Sequence, residues 1–375
     1  MMEPIRVLHN IASLHFGGAQ SFVMNVYRNI DRSKIQFDFV VTPEEKRDLY
    51  EQVEQMGGRI FVAPKYTGKN HFSYCKWWDD FFIEHPEYHI IHGHVRSTAA
   101  IYLKIANRHG LVTIAHSHST SNGSGIEAMI KDIMQIPIRD TADYLFACSD
   151  KAGEWLYGKK AILQKKYKMI PNGIDLKLFA FNEEKRKCIR EKLGIAKDTF
   201  VVGHVGRFTA PKNHKFLIEL FAEYHRINQK SKLLLVGNGD LFETVKQQII
   251  QLEISKDVIL VGSKDNTEDY YQAMDVFVFP SLWEGLPLSV VEAQANGLQC
   301  LISDVITHDV NLTDLVRNLS LDSKQEWVDC IGKTNTLVRQ KVSDSNRKCL
   351  ELFDAKEVAH KLQDFYIEQH NRVTR

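Results

Sequence analysis

The chain has 375 residues, of which 44% are hydrophobic and 25% are charged. This balance is typical of a globular protein and excludes a disordered one, and the length predicts two domains. The 48 basic residues nearly equal the 47 acidic residues, which argues against a dedicated nucleic-acid binder.

No apolar run reaches the ~18 residues that a membrane-spanning helix needs, and no signal-peptide pattern opens the chain. The six cysteines lack CxxC spacing, so a structural zinc site and a disulfide framework are both disfavoured. We therefore expect a cytoplasmic protein with reduced thiols.

Short apolar runs alternate with amphipathic stretches, which predicts an α/β fold of two Rossmann-like, doubly wound parallel sheets. The predicted strands cover residues 5–11, 35–42, 59–63, 89–92, 111–116, 144–148, 167–170, 200–205, 232–236, 257–261, 275–279 and 299–303. Ligands of such sheets bind outside the carboxyl ends of the strands.

The joint between the two domains is predicted near residues 170–175, where Pro-Asn-Gly interrupts any regular element. Residues 1–172 are expected to form the first domain and residues 173–354 the second. Residues 355–375 are expected to form a helix that crosses back to the first domain. A cleft between two such domains is where we expect the chemistry.

Two glutamates, Glu284 and Glu292, lie eight residues apart where a buried strand gives way to a helix. Eight helical residues span about 12 Å, roughly the reach from a sugar ring to a nucleotide ribose. The alternative is that both merely stabilise a helix N-terminus.

A basic loop follows the strand at 200–205. Its Arg207 and Lys212 could grip a diphosphate, with Arg as a planar fork and Lys as a point charge. Such cations act most strongly on a leaving group that gains negative charge. The alternative is a pair of solvated surface charges.

Glycines mark two further strand ends. Gly17 and Gly18 precede a helix, where a backbone can approach an anion closely. Asn238 and Gly239 belong to a Gly-Asn-Gly turn that could lie against a nucleobase or ribose. Tight-turn geometry explains either motif equally well, and neither is GxGxxG, which disfavours a nicotinamide cofactor.

Four histidines form two His-x-His pairs at strand ends, and they are His92, His94, His116 and His118. No carboxylate or cysteine lies nearby with ligand-like spacing, so we predict no metal. His116 is the first candidate for contact with a sugar hydroxyl, and His118 is the second.

Two stretches could face a lipid surface. Basic and apolar residues interleave across Lys151–Lys168, which fits an anionic membrane or a solvated helix face. For Trp77-Trp78 with Phe81-Phe82 we predict core packing.

Taken together, the motifs resemble glycosyltransferase family 4, whose members are retaining enzymes with the two-domain GT-B fold. The resemblance spans nearly the whole chain, and His116–Ser119 and residues 294–304 resemble the capsular and exopolysaccharide subgroup. It rests on Gly17-Gly18-Ala19-Gln20, His116, Ala147-Cys148-Ser149, Pro171-Asn172-Gly173-Ile174-Asp175, Gly206-Arg207 with Lys212, Gly237-Asn238-Gly239, and Glu284 with Glu292.

The resemblance implies a role for each matching position. Catalytic roles fall to His116, Glu284, Arg207 and Lys212, with Glu284 holding the sugar hydroxyls. Glu292 would accept hydrogen bonds from the ribose. The remaining donor-binding positions are Gly17, Gly18, Gly206, Asn238, Gly239, Gly285 and Leu286, and the candidate acceptor-side residues are His118 and Gln20.

The resemblance also implies that no metal or cofactor is needed, because the cations replace Mg²⁺. The expected substrates are a nucleotide-sugar donor, for which a UDP-sugar is favoured over a GDP-sugar, and a saccharide acceptor, lipid-linked in our leading interpretation. Contact with the inner face of an anionic membrane would accompany such an acceptor. Family members commonly carry a longer loop after the Gly-Gly turn, so the acceptor itself cannot be transferred.

Other functions remain open at this point. The same fold could support a nucleotide-sugar epimerase or a phosphorylase, although we find no cofactor-binding lysine setting for the latter. The chain could also be an inactive, donor-binding partner of another transferase. The intact set of Glu284, Glu292, Arg207 and Lys212 argues against that.

Overall fold

The computed structural model describes residues 3–15, 17–43, 48–119, 125–334 and 344–374. The chain divides into two compact units, Met1–Gly173 with Ala355–Arg375, and Ile174–Asp354. Within the described ranges, no helix combines the length and apolar character that crossing a bilayer requires.

Unit 1 is a seven-stranded parallel sheet with the strand order β3-β2-β1-β4-β5-β6-β7. Its strands are β1 (Ile5–Asn10), β2 (Ile35–Val41), β3 (Ile60–Val62), β4 (Ile90–Gly93), β5 (Val112–Ser117), β6 (Tyr144–Ala147) and β7 (Tyr167–Met169). Its first helices are α1 (Gly18–Asn29), α2 (Tyr50–Gln55), α3 (His71–Glu84), α4 (Ala99–Arg108), α5 (Ile126–Gln135), α6 (Ile138–Thr141) and α7 (Asp150–Tyr157).

Unit 2 is a six-stranded parallel sheet with the strand order β10-β9-β8-β11-β12-β13. Its strands are β8 (Phe200–Val205), β9 (Ser231–Val236), β10 (Val258–Gly262), β11 (Val276–Phe279), β12 (Gln299–Ser303) and β13 (Val316–Leu319). Its helices are α8 (Leu176–Phe179), α9 (Glu183–Lys192), α10 (His214–Ile227), α11 (Phe242–Gln251), α12 (Thr267–Ala273), α13 (Leu288–Ala295), α14 (Lys324–Lys333) and α15 (Asp344–Glu351).

The last helix, α16 (Ala355–Val373), belongs to unit 1. Its Leu362, Phe365 and Tyr366 are buried in the same apolar layer as Val7 and Phe22. The helix is therefore part of the core of unit 1.

Strand residues alternate between the two faces of each sheet, as the two-residue period of a strand requires. In β1, Val7 packs in one apolar layer of unit 1 and Leu8 in the other. In β8, Val201 and Val202 divide in the same way in unit 2. Helices covering both faces explain why the strands read as continuous apolar runs.

The structure confirms the doubly wound architecture and corrects two details. Strand β13 was not predicted, because the mixed Val-Arg-Asn-Leu sequence has no strand-like pattern. The basic run at 151–168 is not one helix face, since α7 ends at Tyr157 and turns follow. The aromatic cluster of α3 is core as predicted, with Trp78 fully buried.

In unit 2 the loop after β9 packs closely against the loop after β8, so stability should depend on glycine at their contact. Gly237 has φ +141°, and a Cβ placed there would lie 2.0 Å from the carbonyl oxygen of Gly206. Gly237→Ala should therefore lower the free energy of unfolding by more than about 1 kcal/mol, measured by urea unfolding. Gly332→Ala is the control, because its Cβ meets nothing within 4 Å in the last turn of α14. It should leave stability unchanged or raise it by up to about 0.5 kcal/mol, and equal effects of the two substitutions would contradict the packing argument.

Candidate active site

The candidate site of unit 2 lies where the strand order changes direction, between β8 and β11. These strands pair in parallel, with Val276 opposite Val202, so the loops that follow them leave the same edge of the sheet. The first loop carries Lys212 in a short 3-10 turn, and the second carries Glu284.

Two hydrogen bonds hold the loops against each other. The backbone N–H of Leu282 donates to the carbonyl of Pro211 at 2.8 Å, and the Asn213 side-chain amide donates to the carbonyl of Pro280 at 3.1 Å. Asn213 takes a left-handed backbone conformation with φ 53°, which Asn tolerates better than most residues. These contacts fix Lys212 beside Glu284.

The central contact is an ion pair. The Lys212 ammonium donates from Nζ to Glu284 Oε1 at 2.7 Å, and the two side chains are only 17% and 16% exposed. The ammonium also lies 4.6 Å from the centroid of the Phe279 ring, a cation–π distance. A partly desolvated pair interacts more strongly than a surface pair.

Gly206 gives the Lys212 side chain its room. A Cβ at Gly206 would lie 3.4 Å from Cδ and Cε of Lys212 and 2.9 Å from Nε2 of His204. Arg207, the next residue, is exposed, and we find no ion pair for it among the described residues. Arg207 and Lys212 thus share a loop but differ sharply in burial.

The Gly-Asn-Gly turn packs against the same loop. The N–H of Phe208 donates to the Asn238 carbonyl at 3.0 Å, and Asn238 Oδ1 accepts from the N–H of Gly239 at 2.7 Å. A Cβ at Gly239 would lie 2.6 Å from the Phe208 carbonyl oxygen. Tight packing therefore explains these glycines, and the donor-binding role of Asn238 and Gly239 stays a prediction.

Glu292 lies in α13 and is held by another helix. The Tyr271 hydroxyl of α12 donates to its Oε2 at 2.7 Å. Desolvation raises the pKa of Glu292 to about 7, with Glu268 raising it further and Tyr271 and Lys212 opposing the rise. Desolvation also raises the pKa of Glu268.

The helix-end interpretation of the two glutamates is wrong. Helix α13 begins at Leu288 and has no acidic residue in its first turn. Glu284 precedes the helix and is paired, while Glu292 lies in its second turn. Of the residues between, Gly285 is partly exposed, and Leu286 packs against the core.

The Gly-Gly turn of unit 1 contains two different glycines. A Cβ at Gly17 would lie 2.5 Å from Oε1 of Gln20, whereas one at Gly18 would meet nothing within 4 Å. Packing thus does not demand glycine at position 18, which leaves its predicted ligand role open. The Gln20 amide donates to the Ser13 carbonyl at 3.0 Å and to its hydroxyl at 3.2 Å.

The histidines of unit 1 form an array of five, because His9 of β1 joins the four predicted ones. Its neighbouring nitrogens are 3.0 Å apart for His9 and His94, 2.8 Å for His94 and His118, and 3.1 Å for His92 and His116. His116 is 1% exposed, and His118 is more accessible. Burial lowers the pKa of all five.

Two trios in this array have nitrogens within 4.8 Å of one another, His9 with His92 and His94, and His94 with His116 and His118. Such spacing could hold a metal ion, although each of these residues already shares a hydrogen bond with another imidazole. The prediction of no metal stays a prediction.

Sequence reasoning missed His9, Tyr271, Asn213 and Phe279. His9 could have been found, since it also lies at the end of a predicted strand. The other three left no signal, because their roles depend on which loops and helices meet in the folded unit.

Two family models match the chain. The model described as "Glycosyltransferase Family 4" matches residues 16–178, and the one described as "Glycosyl transferases group 1" matches residues 185–347. Together they cover most of both units.

Three relatives extend the match. EpsF of Bacillus subtilis, which carries a provisional glycosyltransferase name, is 33% identical over 98% of each chain. An Escherichia coli α-1,3-galactosyltransferase that uses UDP-Gal and GlcNAc-diphosphoundecaprenol is 27% identical over 76% of this chain and 77% of its own. The capsular polysaccharide biosynthesis glycosyltransferase CapH of Staphylococcus aureus is 22% identical over 97% and 99%.

A solved structure has the same fold. Anabaena HepE in complex with UDP and glucose superposes with a TM-score of 0.78, covering 96% of this chain and 99% of its own at 17% identity. With two Rossmann-like parallel-sheet units, the fold is GT-B. A full-length relative at 33% identity and both family models lead to one conclusion: the chain belongs to glycosyltransferase family 4.

Proposed function

We propose that this glycosyltransferase moves a sugar, with retention of configuration and without a metal, from a UDP-sugar to a lipid-linked saccharide in capsular or exopolysaccharide synthesis. The partly buried Lys212–Glu284 pair carries the proposal. The pair lies where the strand order of the sheet reverses, a usual ligand-binding position. Its ammonium could bind an anionic group such as a diphosphate, and its carboxylate could bind sugar hydroxyls. UDP in HepE, and the donor and acceptor named for the Escherichia coli relative, support the choice of substrates.

In the free protein each partner neutralises the other. A bound donor would bring its diphosphate to Lys212 and its sugar hydroxyls to Glu284, with the Gly285–Leu286 backbone nearby. Arg207, which is exposed on the same loop, would add a second cation. These charges stabilise the nucleoside diphosphate most as it leaves, because its negative charge grows in the transition state.

The reaction needs no enzyme nucleophile in this proposal. The bond between the sugar C1 and the phosphate oxygen breaks, and a bond from C1 to the acceptor oxygen forms on the same face. The acceptor proton passes to an oxygen of the leaving phosphate. His116 and the Gly17-Gly18 backbone would contact substrate, and His118 and Gln20 would serve the acceptor side.

An apolar helix face supports a lipid-linked acceptor. In α5 and just after it, five apolar side chains are 51–75% exposed, and they are Ile126, Met129, Ile130, Ile133 and Ile136. Lys166 Nζ donates to the carbonyls of Arg139 and Ala142 at the end of the next helix, α6, at 2.6 and 3.0 Å. An exposed apolar helix face in the same unit as such a cation fits an anionic membrane surface.

A donor and acceptor screen tests the proposal. Purified protein is incubated with UDP- and GDP-sugars, with and without lipid-linked saccharides, and sugar transfer is measured. Transfer from a UDP-sugar only when acceptor is present would support it. Donor isomerisation without acceptor would identify an epimerase, phosphate-dependent cleavage a phosphorylase, and donor binding without turnover an inactive partner.

Lys212→Ala should lower kcat by about 100-fold or more, since one group that stabilises a leaving charge is often worth that much. Steady-state kinetics measure the loss, and thermal melting checks the fold. Lys230→Ala is the matched control, because Lys230 pairs with Asp198 at the same 2.7 Å but is 75% exposed. Equal rates in the two variants would exclude Lys212 from the site.

Donor binding should depend on the ionisation of Glu292. The ribose hydroxyls need the carboxylate as acceptor, so the donor KM should rise as the pH falls below about 7, the raised pKa of Glu292. Glu292→Gln should raise KM at pH 8 and flatten its pH dependence. A variant that keeps the wild-type pH profile would show that another group titrates.

Substitutions on α5 test the membrane contact. Ile130→Glu with Ile133→Glu should weaken co-sedimentation with phosphatidylglycerol vesicles at least tenfold, because two exposed apolar side chains that would enter the lipid become charged. Phe72→Glu is the control, since Phe72 is 88% exposed on α3, outside this face. Unchanged binding of the double variant would remove α5 from the interface.

A further inference from the structure

The five imidazoles lie in two hydrogen-bonded rows that stack on each other. One row joins Tyr366, His92 and His116, and the other joins His9, His94 and His118. The ring centroids of His92 and His94 are 4.5 Å apart, and those of His116 and His118 are 4.1 Å apart. The first row begins on α16, the helix that returns to unit 1.

The two imidazoles of the first row are neutral near pH 7, each with one N–H, because burial lowers the pKa of His92 and His116 well below 6.5. A neutral imidazole donates from one nitrogen and accepts at the other. One fixed donor at the start of a row therefore fixes every tautomer along it.

Tyr366 supplies that donor. Its hydroxyl is 2.6 Å from His92 Nδ1, the residue is fully buried, and burial raises the pKa of the phenol, so it stays protonated. We find no second acceptor for this hydroxyl in the part of the chain that the structure describes. Donation to His92 avoids a buried, unsatisfied O–H.

Donation by Tyr366 determines the tautomers of His92 and His116. With Nδ1 of His92 accepting, its proton lies on Nε2, which donates to His116 Nδ1 at 3.1 Å. The proton of His116 then lies on Nε2, a buried atom with no hydrogen-bond partner among the described residues.

We propose that Tyr366 is a positioning residue that acts through His92 to hold His116 as the Nε2–H tautomer, a neutral donor aimed at a substrate oxygen. This inference rests on the proposed function for its use of His116. A preset N–H needs no reorganisation when a sugar hydroxyl arrives. A helix distant in sequence thereby sets the chemistry of a strand-end histidine.

Nitrogen-15 NMR on histidine-labelled protein tests the tautomer without any substrate. Two-bond proton–nitrogen correlations identify which ring nitrogen is protonated, and loss of a signal in His116→Gln assigns His116. We expect Nε2–H in the wild type and a mixture of tautomers in Tyr366→Phe. Nδ1–H in the wild type, or no change in Tyr366→Phe, would overturn the proposal.

Tyr27→Phe is the matched control. Tyr27 is also fully buried, and its hydroxyl lies 3.1 Å from Gln36 Oε1 and 3.1 Å from the Met56 carbonyl oxygen, away from the histidines. It should lose similar stability while His116 keeps its tautomer. A tautomer change in this variant would show that general loosening, and not the Tyr366 hydroxyl, is responsible.

Kinetics supply the second readout. Tyr366→Phe should lower kcat about tenfold with an unchanged donor KM, as for one hydrogen bond lost in the transition state. His116→Gln, whose amide N–H can replace Nε2–H, should retain more activity than His116→Asn. The reverse order would contradict an Nε2 donor, whereas absence of turnover in the wild type would contradict only the proposed function.

Discussion

Two regions depend on parallel pairing of strands that are distant in sequence: the Lys212–Glu284 pair of unit 2 and the histidine array of unit 1. Because β8 pairs with β11, the loops after them leave one edge of a sheet, and Lys212 meets Glu284 across 72 residues of sequence. Pairing of β1 with β4 sets His9 opposite His92 in the same way. Each region lies where its strand order reverses, the usual ligand-binding position in doubly wound sheets.

A partly buried ion pair is a poor source of stability, since desolvation of two charges offsets much of their attraction. The Lys212–Glu284 pair is nevertheless present in unit 2, beside the Phe279 ring. The binding role proposed above would account for the charges, because each partner holds the other in place until a ligand with complementary groups replaces it. The exposed Lys230–Asp198 pair has no comparable environment.

Sequence patterns predicted the sheets and identified several residues of the candidate site, because local rules govern both. Buried strands read as apolar runs, and glycines and cations gather at strand ends. This was enough to single out Glu284, Lys212 and the His-x-His pairs. The donor-binding roles of individual residues were implied by resemblance and remain proposals.

The features that the sequence did not predict depend on tertiary contacts. Tyr366 is an ordinary core residue of an amphipathic helix until α16 packs against β4 and brings its hydroxyl to His92. Tyr271 likewise acquires its role only from Glu292 on another helix. The apolar face of α5 looks like any buried helix face in sequence, and only the fold leaves it exposed.

The proposed reaction is sugar transfer with retention from a nucleotide donor. Proton NMR of the product as it first forms with the lipid-linked acceptor determines its anomeric configuration. We expect the new glycosidic bond to keep the configuration of the sugar in the donor, with one nucleoside diphosphate released per bond. An inverted product, or conversion of the donor with no new bond, would contradict it.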